Sequence, residues 1–350
     1  MKPFNMDMID PVYYRESDRK PDFSNLLKVL RLGRPDRYTL FEFAINHNLM
    51  ALLTGMEDDT VERQIKAFAA AGYDYVITPF SIPSSGTATV QKVDTKTISL
   101  NEHAYVTDRE SFESLKGSQE SGFDFTTLDE YANKMPTGMK LAVCGPGGVL
   151  ENVIGLTGYD NLCYMLEDDE ALVGDIFDHV GNWLTAYYEK CVPHEAVGLQ
   201  VINDDWGFNS QTMISPAHLR RYVFPWHKKI LQIGRKCGKP VILHACGNLA
   251  QVEDDIINNI RYDGKHSYED NIIPVEDAYE RYNKKIAVLG GIDVDFLCRS
   301  TPEAIYLRAA AMLEKTKAGG YALGSGNSIP YYVPNENYLA MIAAAHFNTY

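Results

Sequence analysis

Short apolar runs alternate with longer amphipathic stretches along most of the chain. The runs TLFEFAI (39–45), YDYVITPF (73–80), MKLAVCG (139–145), VGLQVIND (197–204), PVILHACG (240–247), DIINNIRY (255–262), KIAVLGGID (285–293) and GGYALGSG (319–326) predict strands. Between them, TVERQIKAFAAAG (60–72), LVGDIFDHVGNWLTAYYEKC (172–191), PAHLRRYVFPWHKKILQIGRKCG (216–238) and TPEAIYLRAAAMLEKTKAGG (301–320) carry helical patterns. Strands alternating with helices form parallel sheets. Eight of them in one chain favour an α/β fold of the closed (β/α)8 TIM-barrel type over an open doubly wound sheet. Near the start, SNLLKVLRLGRPDRY reads as a short helix stopped by Gly33 and Pro35, so residues 1–35 are expected to be a helical extension ahead of a barrel over 36–350. No linker, low-complexity tract or fixed-period repeat divides the chain, and a single domain is expected. The polar stretch 81–130 reads as a loop or hairpin insertion, with its role as lid, dimer contact or docking surface open.

In a barrel the chemistry sits where strands end, on the face built by the strand-to-helix loops. The polar and glycine residues concentrate there: Glu42 and His47, the GPGG stretch 145–148, Asn203 to Gly207, His244 to Gly247, His266 and Glu269, Gly290 to Asp293, and Gly324 to Asn327. His244 and Cys246 are two apart, so on an extended segment they point the same way. Imidazole and thiolate are both good zinc ligands, although a packed histidine beside a buried cysteine would read the same. A metal site needs further donors, and Cys298, Glu269, Asp205 and the Ser325 region are the candidates. Cys298 also reads as a helical core residue.

In VINDDWGFNSQTMISP, Asp204 and Asp205 point to opposite sides if extended, so one of them faces the pocket as a carboxylate for substrate or proton. A helix-capping loop is the competing reading, since Ser215-Pro216 has the form of an N-cap followed by Pro. The glycine pair before Asp293 suits close approach of a ligand. GPGG fits neither a P-loop nor a dinucleotide fingerprint and reads as a turn. No GxSxG, HExxH or Cys-x-x-Cys motif is present.

Composition narrows the partners. The 350 residues are 45% hydrophobic and 23% charged, ordinary for a globular chain. A formal charge of −14 disfavours nucleic acid and anionic membranes, whose phosphates select basic surfaces. No apolar run approaches the roughly 18 residues that span a bilayer, and the polar start has no secretory pattern. The six cysteines show no disulfide spacing, so a reducing cytoplasm is expected.

Four segments in order resemble the uroporphyrinogen decarboxylase superfamily, which includes corrinoid-dependent methyltransferases: DDWGFNSQTMISPAHLRRYVFPWHKKI, VILHACGN, VLGGIDVDFLCRSTPEAI and GGYALGSGNSIPYYVPNENYLAMI. The resemblance runs from about residue 24 onward and implies a (β/α)8 barrel. Decarboxylases of the family carry an arginine-rich strand end for a polyanionic porphyrinogen. Here DRYTLFEFAINHNLM has Glu42 instead. His244 and Cys246 match the zinc motif of the methyltransferase branch. The resemblance therefore implies zinc, a small-molecule methyl donor or acceptor, and methyl exchange with a corrinoid (methylcobalamin). No D-x-H-x-x-G segment is present, so the corrinoid is expected on a separate partner protein.

Coenzyme M-type relatives supply a third ligand, a cysteine, after the last strand, where this chain has Ser325. That departure turns the expectation toward a small donor of methyl ether or methylamine type. The expected roles are metal ligation by His244, Cys246 and Cys298, catalysis by Asp205, Glu42 and Glu269, and substrate contact by Asp204, Trp206, Tyr268, Asp293 and Asn327. A homodimer is compatible with this reading. A metal-free decarboxylase and a non-catalytic barrel with a degenerate site are the alternatives.

Overall fold

In the computed structural model, which describes residues 1–78, 100–101, 104–118 and 125–350, the apolar runs assemble into one parallel sheet. Its strands are β1 (Tyr75–Ile77), β2 (Lys140–Cys144), β3 (Val197–Asn203), β4 (Val241–His244), β5 (Gly264–His266), β6 (Ala287–Leu289) and β7 (Tyr321–Ala322), paired in chain order. Nearly every strand residue is buried, as expected when helices cover one face of a curled sheet and side chains fill the other. The fold is α/β and TIM-barrel-like.

The expected first strand, 39–45, is irregular, so the described residues hold seven regular strands instead of eight. Leu40 and Ile45 form isolated parallel bridges to Leu323 and Ile329. The Phe41 N–H donates to the Leu323 carbonyl at 2.8 Å, and the Leu323 N–H to Thr39 at 2.9 Å. On the other side a phenol meets the backbone: the Glu42 N–H donates to the Tyr75 hydroxyl at 2.8 Å, which donates back to the Glu42 carbonyl at 2.5 Å.

The run 255–262 is not a strand. Asp255–Ile260 forms a π-helical turn, ended by Arg261 in the left-handed region at φ 69°. Ile256 and Ile260 are buried on one face while Asn258 and Asn259 are exposed, a helical division that a short apolar run conceals. The strand is instead the polar tripeptide Gly264–His266, whose His266 lies beside His244 in the β4–β5 register.

Helices follow the expected spans closely, with caps that explain their ends. Val61–Ala71 starts on the Thr60 side chain and ends at Gly72, at φ 94°. Glu170–Cys191 is capped by Asp169, and Pro302–Lys315 by Thr301. The stretch 216–238 is not one regular helix: Pro216–His218 passes through a π-helical turn at Leu219–Val223 into Phe224–Lys236. Pro225 has no N–H to continue the regular bonding, which accounts for the wider turn. The residues of the 81–130 insertion that fall among those described include helices Arg109–Ser118 and Thr126–Lys134, not a hairpin. Residues 79–99, 102–103 and 119–124, including the end of the expected strand 73–80, lie outside the described set.

The N-terminal segment carries helices Pro11–Arg15 and Ser24–Leu30, with Tyr14, Leu26 and Val29 buried in the same core as the strands. The Tyr14 hydroxyl reaches the Leu339 carbonyl in the last helix, Asn335–Phe347, at 3.2 Å. Among the described residues no helix is long and apolar enough to cross a membrane.

Candidate metal centre

Three elements meet at the ends of β3 and β4. Parallel pairing sets Asn203 beside His244, so the chain leaving β3 at Asp204-Asp205 runs against the chain leaving β4 at Ala245-Cys246. The Cys246 N–H donates to Asp205 Oδ1 at 2.9 Å, pinning the carboxylate beside the thiol. Gly247 then turns away at φ 84°, packed so tightly on Gly207 that a side chain would meet its carbonyl oxygen at 2.0 Å. Among the described residues, one donor atom each from Asp205, His244 and Cys246 lie within 4.8 Å of one another. This O, N, S set is the kind that holds zinc.

The orientation of the histidine is fixed by a line of hydrogen bonds. His266 Nε2 lies 3.1 Å from the Ser325 carbonyl, which can only accept, so Nε2 carries the proton. His266 Nδ1 is then an acceptor, and His244 Nδ1 donates to it at 2.7 Å. That tautomer leaves the lone pair on His244 Nε2, which faces the Cys246 sulfur at 3.8 Å. Burial pushes His244 well below its ordinary pKa and His266 down to about 3, so both rings are neutral. The Phe43 ring stacks on His244 with centroids 3.9 Å apart. Burial, with Asp205 beside it, pushes the Cys246 thiol far up, so the thiol keeps its proton until a cation compensates the charge. Ser267 Oγ and Asn327 Nδ2 donate to the same sulfur at 3.3 and 3.2 Å.

The other expected residues divide. Asn327 belongs to the centre. Glu269 accepts a long bond from the Gly247 N–H at 3.4 Å and, with Tyr268, lines an adjacent cavity of about 410 Å³ walled by Leu249, Ile256 and Ile273. Cys298 is not among the converging donors: it lies on helix Val294–Arg299, with Asp293, Asp295 and Arg299 as its charged neighbours, and Asp205 takes the third place. Glu42 is fully buried and turned to Ser325, accepting from its hydroxyl at 2.6 Å and its N–H at 3.1 Å. Burial raises its pKa to about 8 against those two bonds.

Asp204, Trp206 and Asp293 are not among the converging donors, and the contacts they make are with the scaffold. Asp204 accepts the N–H groups of Val149, Leu150 and Glu151 at 3.0 Å each, capping helix Val149–Thr157, and pairs with His227 Nε2 at 2.8 Å. Gly148 has no side chain because a Cβ there would sit 2.2 Å from that carboxylate. Trp206 is fully buried against Phe224 and His227. Asp293 is the N-cap of Val294–Arg299 and also receives the Asp270 N–H.

Glu151 escaped the sequence reading. Its Oε2 accepts the Gly148 N–H at 2.7 Å and Asn203 Nδ2 at 3.1 Å. Burial, Asp205 and Asp204 together raise it to about 8. The only signal was an acidic residue three positions past GPGG, which reads as an ordinary helix start. Lys265 and Ser267 escaped as well, because placing the sixth strand at 255–262 left them outside any expected strand end.

A barrel-like parallel sheet with a donor cluster at its strand ends places the chain among TIM-barrel-like α/β proteins, and sequence comparison gives the family. Residues 46–347 match the uroporphyrinogen decarboxylase (URO-D) family, and the chain belongs to it. A methylcobamide:CoM methyltransferase MtbA of Methanosarcina acetivorans is 23% identical over 222 residues, 62% of this chain and 60% of the relative. A uroporphyrinogen decarboxylase of Anaeromyxobacter dehalogenans is 24% identical over 192 residues, 55% of this chain and 53% of the relative. The chain thus matches 60% or less of the length of these curated relatives. A solved methyltransferase from Methanosarcina mazei shares the fold, with a TM-score of 0.67 at 16% identity over 93% of this chain and 98% of that one.

Proposed function

We propose that this protein is a zinc-dependent methyltransferase that moves a methyl group between a small molecule, such as a methyl ether or methylamine-type donor, and a corrinoid carried on a separate protein. The observation that carries the reading is the convergence of Asp205, His244 and Cys246 with the His244 lone pair turned toward the cluster. The similarity to methylcobamide:CoM methyltransferases supports the corrinoid partner. Asp205, His244 and Cys246 would hold the metal. Zinc, when bound, supplies Lewis acidity that converts a thiol to thiolate or withdraws electron density from a leaving heteroatom. The chain does the rest: His266 holds His244 in one tautomer, the Cys246 N–H holds Asp205, and Phe43 covers the imidazole from solvent. The cavity beside Glu269 and Tyr268 is large and apolar enough for the body of a small donor.

Metal analysis tests this directly. Protein purified without chelators is expected to carry near one zinc per chain, lost in the His244→Ala, Cys246→Ser double variant. Asp205→Asn is expected to weaken zinc binding about 10-fold or more, measured by competition with a chromogenic chelator. Zinc-free wild-type protein would sink the reading. Turnover of uroporphyrinogen would replace it with the decarboxylase reading, to which the Anaeromyxobacter similarity points.

A further inference from the structure

Three described non-glycine residues have φ in the left-handed region: Leu32, Arg261 and Ser267. Leu32 and Arg261 close helices, where that conformation is routine. Ser267 does not. It follows strand β5, is buried, and has φ 82°, a strained conformation for a residue with a side chain.

Two contacts account for it. The Ser267 carbonyl accepts from Lys265 Nζ at 2.5 Å, and the same ammonium reaches the carbonyls of Ala245 at 3.4 Å and His266 at 3.5 Å. Lys265 thereby curls the chain back on itself just past β5. The curl aims the Ser267 hydroxyl at Cys246, where it donates to Sγ at 3.3 Å. Asn327 supplies a second donor from the opposite loop, at 3.2 Å. Its amide face is fixed, because Oδ1 accepts the Ser328 N–H at 2.7 Å and Nδ2 must therefore point at sulfur.

We propose that Ser267 is a positioning residue for Cys246: its backbone is held left-handed by Lys265 so that its hydroxyl, together with the Asn327 amide, fixes the direction in which the sulfur faces Asp205 and His244. This rests on the metal-centre reading above. Two donors on the sulfur limit the directions in which it can face a metal. Such partners of a ligand typically govern metal affinity about 10- to 100-fold.

The test uses the full chain loaded with cobalt(II), whose bond to a thiolate gives a charge-transfer band, and zinc release to a chromogenic chelator. Ser267→Gly removes the hydroxyl while accepting the left-handed backbone. It is expected to unfold at the same or a higher temperature than the wild type, yet to release zinc about 10-fold faster and shift the cobalt–sulfur band. Ser267→Ala removes the hydroxyl and keeps the strain. Its expected result is the same faster release with a lower unfolding temperature. A wild type that shows the band, with Ser267→Gly matching it in both band and release rate, overturns the positioning role. A wild type without the band overturns the metal reading itself, and the inference with it.

Discussion

Glu42 is a carboxyl held in the core by Ser325 and the Phe43 N–H, and its protonation should be visible in stability. Its folded pKa of about 8 lies above the ordinary 4.5, so the folded protein holds a proton that the unfolded chain has lost between those values. The sign follows: stability is full below about 4.5 and is lost as pH rises toward 8, by a few kcal/mol at most. Glu42→Gln should flatten this slope. Urea midpoints at pH 5.5 and 8.5 would differ less in the variant than in the wild type; equal slopes would show that burial does not hold the proton. Asp204 is also buried, with four hydrogen-bond donors on it. Asp204→Ala strands three helix N–H groups and His227, at an expected cost of about 3–5 kcal/mol by denaturant unfolding. A cost below about 1 kcal/mol would mean that water replaces it without difficulty.

Elements were legible where apolar runs were long and capped. GPGG read as a turn and is one, but nothing in the neighbouring residues announced that Asp204, over fifty positions away, caps the helix behind it. Such long-range caps have no local pattern. DIINNIRY failed for a different reason: a short segment with isoleucines at 256, 257 and 260 suits a buried strand and a helical turn equally, and the true strand GKH is too short and polar to register. The centre was half legible. H-x-C at a strand end identified His244 and Cys246, while the third donor came from Asp205, which only the β3–β4 register selects over Cys298. Arg261, closing the misread segment at φ 69°, gives a test of that geometry. Arg261→Gly should raise stability by roughly 0.5–1 kcal/mol, since glycine enters the left-handed region without Cβ strain. A lowered unfolding temperature would contradict the helical ending.

For the whole molecule, metal and fold are linked, because any ion bound only by the folded chain stabilises it. Zinc at about 100 times its dissociation constant adds about 2.7 kcal/mol, a rise of roughly 3–6 °C in unfolding temperature for a chain of this size. The rise should vanish in the His244→Ala, Cys246→Ser variant; its persistence there would place zinc elsewhere. The line from His244 through His266 ends at the Ser325 carbonyl. A main-chain carbonyl receives a hydrogen bond but has no useful basicity, so this wire is insulated at its far end. The two imidazoles therefore set the direction of the His244 lone pair without offering a proton a way out along their line. On that side the centre has an electrically silent wall.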